Sequence, residues 1–350
     1  MRLLFLFISI TLLPAFGQEF KGGSTIDQIK CEGNTQWSYS VYLPKSYDHK
    51  REEPWPVMFI FTPNGGNAGT AKKMIEGAEL CDAILITSIE TSNKYNKNGE
   101  AMYATVNDVR KRFKIHPAFT FVTGFSGGGR RAYFMAGEYA KGKFFTGCIP
   151  CGAGEPGAKL AKDAYYFGLS GTNCYNREQM AVSFLSKIKK DGDLRFEVGA
   201  HIWPGEKLYT EAMAFVYANN LNKLRAQDNE YDLYFKNFCE ELRSMAKAES
   251  DIYRKYELLN TLSMVMKNKE INDVRQEIAT LKKEKEINNY LNARKDLDKF
   301  LKKYYREQFS VPKNQKMNPR AVKDMDKLIK KYEGLPLTDI MKKLAEDVKF

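Results

Sequence analysis

Gly124-Phe125-Ser126-Gly127-Gly128 is a G-x-S-x-G run, preceded by a strand expected at 120–123 and followed by a helix expected from about Gly128. A tight turn between strand and helix lifts the central serine out of the chain and exposes its hydroxyl. Gly124 and Gly128 let neighbouring backbone come close without a Cβ in the way. The helix start also aims free N–H groups at any negative charge that forms there. Ser126 is therefore the candidate nucleophile. Its hydroxyl needs a base, and the chain has 3 histidines. His49 lies in the polar stretch Asp48-His49-Lys50, and His116 stands just before the Ser126 strand, at its opposite end. His201 follows the last strand expected in the first part and precedes a helix, so elimination makes it the candidate base.

Attack on a carbonyl creates an oxyanion, which needs two aimed backbone donors, each worth about 3–4 kcal/mol at the transition state. One is expected from Gly127. The other is expected from the turn Thr62-Pro63-Asn64-Gly65-Gly66-Asn67, where Pro63 has no N–H and Asn64 is the better donor.

Positioning these groups requires a sheet whose strands end on one rim. Residues 37–43 alternate like an antiparallel strand, while 56–61 form a continuous apolar run like a buried one. Further strands are expected at 83–88, 120–123, 144–150, 164–169 and 195–198, with helices at 68–80, 101–113, 177–189 and 206–222 between or after them. Apolar strands separated by helices imply an α/β fold: a mostly parallel sheet with helices on both faces, whose site lies beyond the carboxyl ends of the strands. Glycine usage then changes abruptly. Of 25 glycines only Gly334 lies beyond Gly205, and residues 206–311 contain neither Gly nor Pro. The chain is expected to divide into residues 1–17, an α/β domain over 18–222 and an all-helical C-terminal domain over 223–350. Ile271, Val274, Ile278 and Leu281 keep helical spacing, and the phase is lost by Ile287. Pro312 and Pro319 precede final helices near 320–332 and 337–348.

Taken together, Thr62 to Asn67, Thr123-Gly-Phe-Ser-Gly-Gly-Gly-Arg130 and His201-Ile-Trp-Pro-Gly205 resemble the polyhydroxybutyrate-depolymerase and feruloyl/acetylxylan-esterase branch of the α/β hydrolases. The resemblance covers residues 35–222 and leaves the helical part unmatched. It implies ester hydrolysis through an acyl-enzyme, on a small ester or on a polysaccharide or polyester. It also implies an Asp in a G-T-x-D turn, and here that turn reads Gly171-Thr172-Asn173-Cys174. Cys174 thus occupies the acid's place. Glu155, after the preceding strand, is the remaining acid candidate, and Asn173 and Asn176 are candidates to orient His201 without neutralising it. Exchanging the acid for an amide costs about 10⁴ in rate in a serine protease, or about 5.4 kcal/mol. The rival reading is therefore a catalytically impaired pseudohydrolase that binds a glycan, an ester polymer or a protein partner. A third makes the C-terminal helices a protein-docking module.

Residues 1–17 read as a signal peptide: Arg2, an apolar run over 3–13, then Ala15 and Gly17 before a cut at Gln18. Secretion or a periplasmic location is the expectation, and that compartment permits disulfides among the 6 cysteines. Cys151 and Cys174 follow strands expected to be neighbours, which makes their pairing the disulfide to test, with buried thiols as the alternative. Cys148 and Cys151 form a CxxC with no second pair and no adjacent histidines, so no metal is expected, and no motif calls for a cofactor. A net charge of +12 favours anionic surroundings, but no nucleic-acid module accompanies it and no later segment suits a membrane span. Arg130 and Arg131, at the start of the elbow helix, are candidate anion binders or loop caps.

Overall fold

The computed structural model describes residues 20–184, 188, 192–225, 232–266, 272–308 and 319–348. The expected signal peptide lies outside the described residues. Chain order runs β1 (Thr25–Lys30), β2 (Ser38–Tyr42), β3 (Trp55–Phe61), α1 (Ile75–Leu80), β4 (Ile84–Ser88), α2 (Asn98–Arg112), β5 (Ile115–Phe125), α3 (Gly127–Glu138) and β6 (Gly147–Cys151). It continues with β7 (Tyr165–Gly171), α4 (Arg177–Ser183), β8 (Gly192–Glu197) and α5 (Glu206–Arg225). The remaining helices are α6 (Asp232–Ala248), α7 (Ile252–Val265), α8 (Asn272–Lys283), α9 (Lys285–Gln308), α10 (Pro319–Lys331) and α11 (Pro336–Val348).

One 8-stranded sheet has the order β1-β2-β4-β3-β5-β6-β7-β8. β1 with β2 and β2 with β4 pair antiparallel; every other neighbour pair is parallel. β3 shows why the sheet needs cover on both sides. Met58 and Ile60 join the core beneath α1 and α5, whereas Val57, Phe59 and Phe61 join the one beneath α2 and α3. This two-residue alternation follows from the pleat, and all 7 residues of the strand are buried.

Two local expectations change and a third, the loss of helical phase by Ile287, is met. β1 was not anticipated: only Ile26 and Ile29 of its residues are buried, and a register shift between them removes the period of two. The expected helix over 68–80 begins as a 3₁₀ turn, Ala68–Met74, before α1. The helical run containing Ile278 breaks between α8 and α9, where the apolar spacing loses phase.

The helical part does not stand apart from the sheet. Phe238 and Leu242 of α6, Leu259 and Leu262 of α7 and Ile278 of α8 share one apolar cluster with Tyr217 and Leu221 of α5 and with Phe121 of β5. A further cluster joins α9, α10 and α11 to Ala181 of α4 and Phe196 of β8. Among the described residues no helix is long and apolar enough to cross a membrane.

Candidate active site

Because β3, β5, β7 and β8 run in parallel, the turns leaving their carboxyl ends gather on one rim. Ser126 is the residue between β5 and α3, with φ 52° and ψ −119°. A side chain in that region costs about 1–3 kcal/mol and persists only where its surroundings impose it. Two features impose it here. Ser126 N–H donates to the Cys151 carbonyl at 2.8 Å. A Cβ on Gly128 would lie 2.1 Å from the Phe61 carbonyl oxygen, so β3 presses directly on the elbow and only glycine fits.

The turn after β7 and the loop after β8 are laced together. Thr172 N–H donates to the Glu197 carbonyl and Asn173 N–H to the Gly199 carbonyl, each at 2.8 Å. Gly199 N–H returns to Thr172 Oγ1 at 3.3 Å. The lacing delivers His201 to the rim. Its Nε2 lies 2.9 Å from Ser126 Oγ, and its Nδ1 lies 3.0 Å from Cys174 Sγ. The imidazole is flanked by Phe125, ring centroids 4.6 Å apart, and by Tyr175 at 4.0 Å. Burial, and then the nearby Arg130 cation, hold its pKa below the usual 6.5.

Cys174 is buried. Its sulfur receives Asn176 N–H at 3.4 Å and lies 3.8 Å from the Gly152 carbonyl oxygen. For Nε2 to take the serine proton, the imidazole must carry its own proton on Nδ1 and donate it to sulfur. Cys174 S–H must then point elsewhere, and the Gly152 carbonyl is the acceptor within reach. With the proton on sulfur aimed at Nδ1 instead, Nε2 would bear hydrogen and could not act as base.

The other candidates fall into two groups. Glu155 does not reach His201; its carboxylate sits 3.7 Å from Arg130 Nε, and its N–H is held by Ser183 Oγ. Asn173 is exposed, its Oδ1 taken by Thr172. Asn176 donates from Nδ2 to the Gly152 carbonyl at 2.8 Å and accepts from Arg130, so it supports Cys174 rather than touching the ring. Gly127 opens α3, where N–H groups have no intrahelical acceptor. Asn64 forms an isolated bridge with Ser92, in which Asn93 N–H donates to the Pro63 carbonyl at 2.7 Å. Arg131 clips this turn to the elbow helix through the Thr62 carbonyl at 3.0 Å and Asn93 Oδ1 at 3.1 Å. Arg130 and Arg131 are thus loop clips.

His49 is exposed beside Asp48. His116 is buried between Phe119 and Tyr234, and burial and then Arg51 lower its pKa to about 4. The expected Cys151–Cys174 bridge is not formed. Cys151 Sγ lies 2.9 Å from Tyr209 Oη, Cys174 faces His201, and all 6 cysteines are free thiols. Sequence reasoning missed Asn93, whose amide lies across Gly127, and Tyr175 over the imidazole. Tyr175 carried a faint signal as an aromatic beside Cys174; Asn93 carried none.

No protein-family model matches the sequence, and no curated protein matches it. Solved structures similar to it include S-formylglutathione hydrolase FrmB from Staphylococcus aureus, 13% identical, covering 57% of this chain and 100% of that one with a TM-score of 0.45. A ferulic acid esterase is 15% identical over 55% of this chain and 95% of its own, TM-score 0.42. The feruloyl esterase module from Clostridium thermocellum, complexed with sinapinate, is 14% identical over 56% and 88%, TM-score 0.43. Likeness of this degree carries no argument about activity. The sheet order, a strained serine between strand and helix, and a histidine that follows it in the chain and meets it in space are the chain's own evidence. On that evidence the chain has the α/β-hydrolase fold, continued by an all-helical C-terminal part.

Proposed function

We propose that this chain is an exported serine hydrolase acting on carboxylic esters through an acyl-enzyme on Ser126. The observation that carries the reading is the 2.9 Å approach of His201 Nε2 to Ser126 Oγ from a strained elbow. Ser126 Oγ attacks the ester carbonyl carbon as His201 Nε2 takes its proton. The oxyanion is received by the N–H groups of Gly127 and Asn64. Collapse breaks the bond to the alcohol, which leaves with the proton from His201. Water then repeats the sequence on the acyl-enzyme and frees the acid. Cys174 positions His201 in the required tautomer. The substrate class is an ester on a small molecule, a polysaccharide or a polyester, as the likeness to the depolymerase and feruloyl-esterase branch suggests, and export follows from the signal-peptide reading of residues 1–17.

A fluorophosphonate should label the folded protein once per chain, with labelling abolished in Ser126→Ala. A folded wild-type protein that stays unlabelled and cleaves no nitrophenyl ester counts against the reading. One observation favours the alternative, a pseudohydrolase that binds a glycan, an ester polymer or a protein: His201 Nδ1 meets sulfur and no carboxylate. That reading expects ligand binding without turnover, and activity appearing in Cys174→Asp.

A further inference from the structure

A cavity of about 440 Å³ lies between the edge of the sheet and the C-terminal helices, within the range of roughly 300–1,000 Å³ that suits small ligands. Its apolar wall includes Leu194 and Phe196 of β8, Tyr253 of α7, Leu297 and Leu301 of α9 and Leu337 of α11. Charged side chains complete it, and most of them are already committed. Arg195 binds Asp193 at 2.8 Å and Glu257 at 3.3 Å; Arg294 binds the same two carboxylates, closing a neutral ring of four. Arg254 is held by Glu249 at 2.8 Å and Glu76 at 3.3 Å. Glu197 accepts from Gly205 N–H, and Asp251 caps α7 through Tyr253 and Arg254 N–H.

Two carboxyls lining the same space are the least committed, Glu211 through a single long ion pair and Asp298 through none. Glu211 has no hydrogen bond among the described residues, and its nearest cationic atom is Arg254 Nε at 3.9 Å. Asp298 is an exposed residue of the lining, and its carboxyl has neither a hydrogen bond nor an ion pair among the described residues. Burial raises the Glu211 pKa to about 7, and burial followed by Asp193 raises that of Asp298. In both, burial outweighs the lowering by the neighbouring Arg195 and Arg294 cations. Lys207, also in the lining, is drawn to Glu249 at 3.8 Å, so in a protein of net charge +12 the acid beside the apolar wall is in local excess.

We propose that the cavity binds a small cationic amphiphile, an ammonium group on an aliphatic or aromatic body, with its cation facing Glu211 and Asp298 and its body against β8 and α9. An occupant would also touch Val198 and Gly205, which line the cavity and bracket the loop that carries His201. This site is independent of the esterase reading.

Calorimetric titration of the full chain with phenylbutylammonium, phenylbutanol and phenylbutyrate tests the proposal. The ammonium probe should bind at one site per chain, at least about tenfold tighter than phenylbutyrate. Glu211→Gln combined with Asp298→Asn should weaken the ammonium about tenfold while leaving phenylbutanol unchanged, and Ser126→Ala should bind as wild type. Leu297→Trp, which fills the chamber, should lower the affinity for all three. Equal affinity of wild type for the cationic and anionic probes overturns the proposal without recourse to any variant. Ammonium binding that survives the double substitution, or is lost in Ser126→Ala, overturns it as well.

Discussion

The sulfur of Cys174 lies 3.0 Å from His201 Nδ1, on the side of the imidazole opposite Ser126. Sulfur is a weak acceptor that can orient the ring, while a neutral thiol offers no negative charge to the imidazolium that forms during proton transfer. Cys174→Asp should therefore raise kcat/KM for a nitrophenyl ester by between about tenfold and 10⁴. Cys174→Ala, which removes the acceptor, should lower it. A folded Cys174→Asp protein no faster than wild type would show that residue 174 does not limit the proton transfer.

His201 is useful as a base only when neutral, and burial, with the Arg130 cation second, disfavours its charged form. The acidic limb of kcat/KM against pH should accordingly lie below 6.5. Arg130→Gln should move that limb upward, and so should a carboxylate at residue 174. An acidic limb above 6.5 in the wild type would contradict this environment for the ring.

Strain at the elbow is measurable as stability. Ser126 holds φ 52° with a Cβ attached, and glycine adopts such angles without the steric cost. Ser126→Gly should stabilise the protein by about 1 kcal/mol in urea unfolding while abolishing phosphonate labelling. Ser126→Ala should abolish labelling with little gain in stability, because it keeps the Cβ.

Glu211 binds a proton more tightly folded than unfolded, its pKa rising from 4.5 to about 7. Its favourable contribution is complete below pH 4.5 and is lost as pH rises through 7. Glu211→Gln should then stabilise the protein by about 2–3 kcal/mol at pH 8 and by almost nothing at pH 4. Denaturant melts at the two pH values check the difference, and a gain independent of pH would show that burial does not raise the Glu211 pKa.

The helical part covers apolar surface of the sheet layer, with Tyr217 and Leu221 of α5 packed among Phe238, Leu242 and Leu262. A chain ending at residue 225 should expose that face and lose cooperative unfolding or aggregate. Unchanged melting of the truncated chain would instead mark the helices as a separable module.

What the sequence alone determined is local. The central strand β3 was legible because a continuous apolar run at 56–61 can only be satisfied by burial on both faces. The glycines around Ser126 announced a turn where backbone meets backbone. Elimination among 3 histidines singled out His201 as the candidate base. β1 was illegible because a shifted register erases its alternation, and the 3₁₀ start before α1 left no periodic trace. Tertiary structure decided everything that depends on which loops meet. It set Glu155 on Arg130, Asn176 on Gly152 and Cys174 on His201, and it gave Cys151 to Tyr209. The reason is distance along the chain: Cys174 and His201 are joined only because the parallel neighbours β7 and β8 end together and lace their loops with backbone hydrogen bonds. No spacing in the sequence encodes the direction in which the sulfur then points.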